Sequence, residues 1–97
     1  MKFLVIAYNE SIDDEVMSAL SVVGSECCYT KWRKVLGRGR KSGPHLDSHV
    51  WPKANNVLAV ALEDDQCRAL MKEVYRLRAE LGHHGIKAFQ FPLEEMT

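Results

Sequence analysis

An α+β fold follows from three features of the sequence. Apolar runs of strand type and of helix type follow one another in the order strand, helix, strand, strand, helix, strand. Both helical runs carry an apolar stripe along one side. At 97 residues the chain has room for one small domain, 1–97, and no linker or low-complexity stretch divides it.

Each element has its own local reason. Lys2 to Tyr8 is rich in β-branched and aromatic residues and too short for an independent helix, so it reads as a strand. From Ser11 the period changes: Ser11 and Asp14 stand at capping-box spacing, Asp13 to Glu15 fill an acidic first turn, and Ile12, Val16, Leu20 and Val23 recur at helical intervals up to Gly24. Tyr29 to Leu36 alternates, placing Thr30, Trp32, Lys34 and Leu36 on one side and Tyr29, Lys31, Arg33 and Val35 on the other. Asn56 to Leu62 is a continuous apolar strand. Asp64 or Asp65 then caps a helix whose stripe is Leu70, Val74, Leu77 and Leu81, widened by Cys67, Met71 and Tyr75. Gly82 and Gly85 bracket its end, Ile86 to Phe91 forms the last strand, and Pro92 stops it. The order βαββαβ is the split βαβ, ferredoxin-like arrangement, a four-stranded antiparallel sheet with two helices on one face.

Two strands conflict with that plan as a lone subunit. Lys2 to Tyr8 and Val57 to Leu62 are apolar on both sides, whereas an antiparallel sheet with one wet face alternates apolar with polar residues. The face without helices must be buried elsewhere, and a closed homo-oligomer is the expected solution. A domain this small also has little core of its own.

Composition excludes several classes. The chain is 46% apolar with only six Gly and three Pro, so it is neither disordered nor collagen-like. Three cysteines are too few for a disulfide framework and point to a reducing, cytoplasmic setting. The opening apolar run is interrupted at Asn9 and Glu10 and reads as neither signal peptide nor membrane span.

Net charge zero hides an asymmetry: residues 31 to 53 hold seven basic residues and one acidic, and the rest of the chain six and twelve. That is the signature of a local anion site rather than of general nucleic-acid binding. The basic stretch lies largely in the long connection 37–55, and a loop of that length usually carries function. Gly37, Gly39 and Gly43 let main-chain N–H groups approach an anion, while Arg38, Arg40 and Lys41 add charge and forked donors. A phosphate-bearing ligand fits this chemistry, although the segment lacks Walker A spacing.

A rival reading uses His45 and His49, four residues apart, with His83, His84 and the adjacent Cys27 and Cys28 as transition-metal ligands. No closed zinc spacing is present. Catalysis finds little support, because the acidic residues occupy caps and first turns and no nucleophile elbow or paired carboxylates appear. A small ferredoxin-like enzyme or heme-handling protein, with a His at the open sheet face, is the third class considered.

The stretch Val35-Leu36-Gly37-Arg38-Gly39-Arg40-Lys41-Ser42-Gly43 resembles the Gly-x-Gly-Arg-x-x-Gly segment that opens the T-loop of PII nitrogen-regulatory proteins. The tail from Glu80 to Glu94 is similar to their B-loop and last strand, and Gly82, Gly85 and Lys87 are the positions that carry over. The loop here is shorter than in longer members of that family and holds no Tyr, so the tyrosine modification known there has no acceptor.

The resemblance covers nearly the whole chain. It implies a non-enzymatic regulatory homotrimer whose sheets face inward. Its clefts would bind a small anionic ligand, an adenine nucleotide, between the T-loop base (Gly37, Arg38, Gly39, Arg40, Lys41) and the B-loop (Gly82, Gly85, Lys87). The loop would contact a partner such as a membrane transporter or another regulated protein.

Overall fold

The computed structural model describes residues 1–24, 27–39, 43–45, 54–81 and 85–97, with backbone alone at 38–39 and 43–45. Strand β1 (Lys2–Asn9) leads through a tight 3-10 turn into helix α1 (Asp13–Leu20), and a second such turn (Ser21–Val23) closes it. Strand β2 (Thr30–Val35) follows, then a short ribbon of β3 (Gly37–Gly39) and β4 (Gly43–His45), strand β5 (Asn55–Leu62), helix α2 (Asp64–Glu80) and strand β6 (Ile86–Pro92). The main sheet has the order β2-β5-β1-β6 with every neighbouring pair antiparallel. The expected α+β, ferredoxin-like arrangement is therefore present, and the ribbon is an addition inside the long connection. No helix among the described residues is long and apolar enough to cross a membrane.

The helix ends differ from expectation for local reasons. The Asn9 side chain accepts from the Ser11 N–H at 2.9 Å, which tightens the entry into a 3-10 turn, so α1 begins at Asp13 rather than Ser11. At its far end the Ser21 hydroxyl bonds back to the Ser18 carbonyl, and Gly24 turns the chain away at φ 108°. Helix α2 is capped one residue early, by Glu63, whose N–H donates to the Gln66 side chain at 3.0 Å; Asp64 and Asp65 sit in the first turn.

The core lies between the helices and one face of the sheet. Leu4, Ile6 and Tyr8 of β1 alternate inward, as do Leu58, Val60 and Leu62 of β5, against Val16 and Leu20 of α1 and Cys67, Leu70, Val74 and Leu77 of α2. Cys67 is core as expected, 1% exposed, and burial pushes its thiol pKa up. Two members of the expected α2 stripe fall outside it. Tyr75 is 66% exposed because it stands one residue beyond Val74 and is rotated off the packed side, and Leu81 lies past the last turn.

The opposite face of the sheet carries Phe3, Val5 and Ala7 from β1, Val57, Ala59 and Ala61 from β5, Trp32 from β2 and Phe89 and Phe91 from β6. No helix covers it. The aromatic groups on the two outer strands, Trp32, Phe89 and Phe91, are each about half exposed, at 51%, 44% and 49%.

Leu58 has no exposed surface and sits on a central strand, so Leu58→Ala is expected to lower the unfolding free energy by about 2–5 kcal/mol. Val22→Ala, at a half-exposed position, should change it by less than about 0.5 kcal/mol. Urea unfolding followed by circular dichroism measures both.

Candidate ligand-binding site

The ends of four strands converge at one end of the sheet. The last residues of β1 and β2 and the first residues of β5 and β6 meet there, as the pairs Asn9 with Asn55, Val35 with Asn55 and Tyr8 with Ile86 record. Two backbone hydrogen bonds bind the corner: Asn9 N–H to the Gly85 carbonyl at 2.6 Å and Glu10 N–H to the Ala54 carbonyl at 3.0 Å. The base of the long loop, Gly37 on one side and Ala54 on the other, thus shares this end of the molecule with Gly85 and Lys87.

The glycines earmarked from the sequence have distinct physical reasons. Gly85 adopts φ 81°, a left-handed backbone that L side chains rarely take, while a Cβ there would meet Asn9 only at ordinary contact distance. At Gly37 it is space that excludes a side chain: a Cβ would come within 2.5 Å of the Asn55 amide nitrogen. Asn55 is thereby brought to the loop base, a polar group that sequence pattern alone leaves on the strand's flank.

Lys87 pairs with Ala7 and so belongs to the uncovered face, in the row Lys87, Ala7, Val57, Trp32 at the loop end. It places a basic side chain on the face that also carries Trp32, Phe89 and Phe91. Gly37 and Gly85 share one end of the sheet but stand on opposite edges, β2 and β6, three strand spacings or about 14 Å apart. One subunit cannot close both around a single small anion. Arg38 and Gly39 are described by backbone alone, within the ribbon, and Arg40, Lys41 and Gly82 lie outside the described residues.

A partly buried polar cluster underlies the loop base. Asp13, the first residue of α1, accepts from the Tyr8 hydroxyl at 2.5 Å, from Lys31 Nζ at 2.9 and 3.2 Å, and from Asn56 Nδ2 at 3.3 Å. Asn56 is 3% exposed, and its Oδ1 accepts from the Lys34 N–H at 3.2 Å. Burial alone would raise the Asp13 pKa, but the hydrogen bonds from Tyr8, Lys31 and Asn56 and the Lys31 charge outweigh it and hold the carboxyl below its ordinary value. Burial, with the bond to Asp13 and that residue's negative charge, pushes the Tyr8 phenol well above the usual range. Tyr8 therefore remains a protonated donor. Lys34 Nζ bonds Glu10 at 3.1 Å from a largely exposed side chain, so two members of the basic stretch, Lys31 and Lys34, have acidic partners within the subunit.

Local patterning assigns Asp13 only a place in the first helical turn. The missed signal was Asn56, a polar residue on the inward side of an otherwise apolar strand, which requires a buried partner.

The metal reading gains nothing from the geometry. Among the described residues no three of His, Cys, Asp and Glu gather in a way that could hold an ion. His49, His83 and His84 lie outside the described residues, and His45 is described by backbone alone. Cys27 and Cys28 border an open hollow of about 510 Å³ at the far end of the sheet, with Val23, Gly24, Ala61, Leu62 and Gln66. Burial, and next the neighbouring Cys28, raise the Cys27 thiol pKa, the opposite of what a thiolate ligand needs.

No family model and no curated protein matches the sequence. Solved structures do match the fold. CPII from Thiomonas intermedia K12, bound to ADP and bicarbonate, superposes with a TM-score of 0.73 at 17% identity, over 93% of this chain and 82% of that one. A PII-like signaling protein from Thermus thermophilus matches with a TM-score of 0.57 at 19% identity, over 93% of this chain and 83% of the other. A DUF3240 family protein from Shewanella baltica OS155 matches with a TM-score of 0.64 at 13% identity, over 99% and 92%. The fold is that of PII-like proteins, as the loop and tail motifs led one to expect.

The Asp13 cluster has a pH signature with a definite sign. A carboxyl whose folded pKa lies below its unfolded value of about 3.9 contributes stability that is fully present above that value and is lost as pH falls through the folded one. Asp13→Asn should therefore cost about 1–3 kcal/mol at pH 7, and the gap from the parent protein should narrow as the pH is lowered below about 4. Thermal unfolding across pH 2 to 7 checks it. Gly85→Ala should cost about 1–2 kcal/mol at every pH, since its penalty is backbone strain.

Proposed function

We propose that this chain is a non-enzymatic PII-like regulatory protein. It forms a homotrimer that binds a small anionic ligand, an adenine nucleotide, in clefts between subunits, and contacts a regulated partner through loop 37–55. The carrying observation is the placement of Gly37 and Gly85 at one end of the sheet but on its opposite edges. A neighbouring subunit that brings its β6 edge to this subunit's β2 edge would complete a cleft that neither forms alone.

Two further features support the reading. A C3 ring needs heterologous contacts, in which two different surfaces of one subunit fit each other. The uncovered face offers such a pair: bulky Phe89 and Phe91 on β6 against small Ala59 and Ala61 on β5. Burial of that face between subunits would also draw Lys87 out of water, which is favourable only with an anion beside it. CPII, similar in fold, holds ADP with bicarbonate in its structure, and the glycines and basic residues at 37–41 here are of the kind that approach phosphate.

Arg38, Arg40, Lys41 and Lys87 would neutralise the ligand, with Gly37, Gly39, Gly82 and Gly85 admitting its approach. A change in the loop on binding would transmit the ligand's presence to the partner, a membrane transporter or another regulated protein in the cytoplasm.

Light scattering should give three times the 11.0 kDa subunit mass. Titration calorimetry with ATP, ADP, AMP and cyclic nucleotides should give heat with at least one, and Lys87→Ala should weaken it about tenfold, or ~1.4 kcal/mol. A folded monomer, or no heat at millimolar ligand, would sink the proposal. Phe89→Ser with Phe91→Ser should dissociate the ring, which the same light scattering reads.

A further inference from the structure

We infer that Asn56 is a positioning residue for the candidate site: it holds a left-handed bulge at Lys34, and that bulge turns the base of loop 37–55 toward the uncovered face of the sheet. The inference rests on the reading of Gly37 and Gly85–Lys87 as two halves of one inter-subunit site.

The register shows the turn. On β2, Trp32 pairs with Val57, but Val35 pairs with Asn55, where an unbroken ladder would bring it to Ala54. Two residues, Arg33 and Lys34, therefore stand opposite the single position of Asn56, which is a β-bulge. Side chains alternate along a strand, so one extra residue exchanges the faces of everything after it. In an unbroken strand with Trp32 on the uncovered face, Val35 and Gly37 would fall on the helix side. With the bulge they follow Asn55 to the uncovered face, the side that carries Trp32 and Lys87. The close approach of Gly37 to the Asn55 amide is the direct mark of that turn.

Lys34 accepts an unfavourable backbone to make the bulge. Its φ is 55°, the only positive value at a non-glycine position among the described residues. Asn56 compensates by accepting the Lys34 N–H at 3.2 Å, a donor the bulge would otherwise leave without a ladder partner. The Asn56 amide is itself oriented, because its Nδ2 donates to Asp13, which Tyr8 and Lys31 hold from two other strands. The Lys34 ammonium is tied down at Glu10. An Asp at position 56 would present a second carboxylate to Asp13, and a Leu would accept nothing from Lys34. An asparagine meets both demands in that space.

Three variants test this: Asn56→Leu, Lys34→Gly and a deletion of Lys34. Each is assayed by amide hydrogen exchange at position 34 where the residue remains, by light scattering, and by calorimetric titration with ADP and ATP. Asn56→Leu should speed exchange of the Lys34 amide at least tenfold and weaken nucleotide binding at least tenfold while the sample is still folded. Lys34→Gly relieves the backbone strain but keeps the amide, so its affinity should match the parent within about twofold.

Deleting Lys34 removes the bulge while leaving both Asp13 and Asn56 in the sequence, and should abolish binding in a folded chain. This variant decides the matter if Asn56→Leu does not fold. The inference is overturned if Asn56→Leu keeps the Lys34 amide protected, or if a folded Asn56→Leu or Lys34-deleted protein binds nucleotide as the parent does. A merely stabilising role for Asn56 would lower the unfolding temperature and leave affinity unmoved. If the parent itself binds no nucleotide, the functional reading falls, and exchange at Lys34 still reports whether Asn56 holds the bulge.

Discussion

The structure depends on an imbalance between one sheet and two helices. Four strands present two faces, α1 and α2 can cover only one, and yet β1 and β5 are apolar on both. The covered face is an ordinary core in which Leu4, Ile6 and Leu58 are removed from water. The uncovered face, with Phe89, Phe91 and Trp32 about half exposed, is where a solitary subunit would lose free energy to solvent. Its asymmetry also matters, since aromatic bulk lies on the outer strands and alanines on β5.

The same sheet explains why the candidate site is divided. Strand order β2-β5-β1-β6 brings the long loop and the short turn before β6 to one end but separates them by the width of the two central strands. Charge is apportioned accordingly. Lys31 and Lys34 are bound to Asp13 and Glu10 and serve the scaffold, whereas Lys87 stands in the uncovered face. A count of basic residues along the chain cannot make that separation, because an ion pair with an acid many residues distant leaves no local trace.

Much of the fold was legible in the sequence. Periodicity of two and of 3.6 residues reports directly on which side of an element is buried, so the element order, the four main strands and most of both helical stripes, though not Tyr75 or Leu81, could be read from it. Boundaries were less legible. The cap of α2 falls on Glu63 because its partner Gln66 completes the box, and Ser11 enters a 3-10 turn because Asn9 captures its amide. The face assignment of β2 failed beyond Trp32: simple alternation set Val35 against Trp32, and the bulge returns both to one side. Gly37 and Gly85 were singled out in the sequence, but the crowding by Asn55 that excludes a side chain at 37 was not legible, since it arises from a contact across strands.

By itself the sequence determined the alternation of strands and helices, the doubly apolar central strands and the concentration of positive charge and glycine near residues 37–41. Those follow from local spacing and composition, which any stretch of chain carries within itself. Only the tertiary structure decided that Tyr8, Asp13, Lys31 and Asn56 form one partly buried cluster, that Lys34 takes a left-handed turn beside it, and that Val35 pairs with Asn55 across a register shift. The physical reason is that hydrogen bonds between residues 18 to 43 positions apart exist only once the strands have paired. A one-residue slip in that pairing has no signature in composition, yet it chooses the side on which every later group stands.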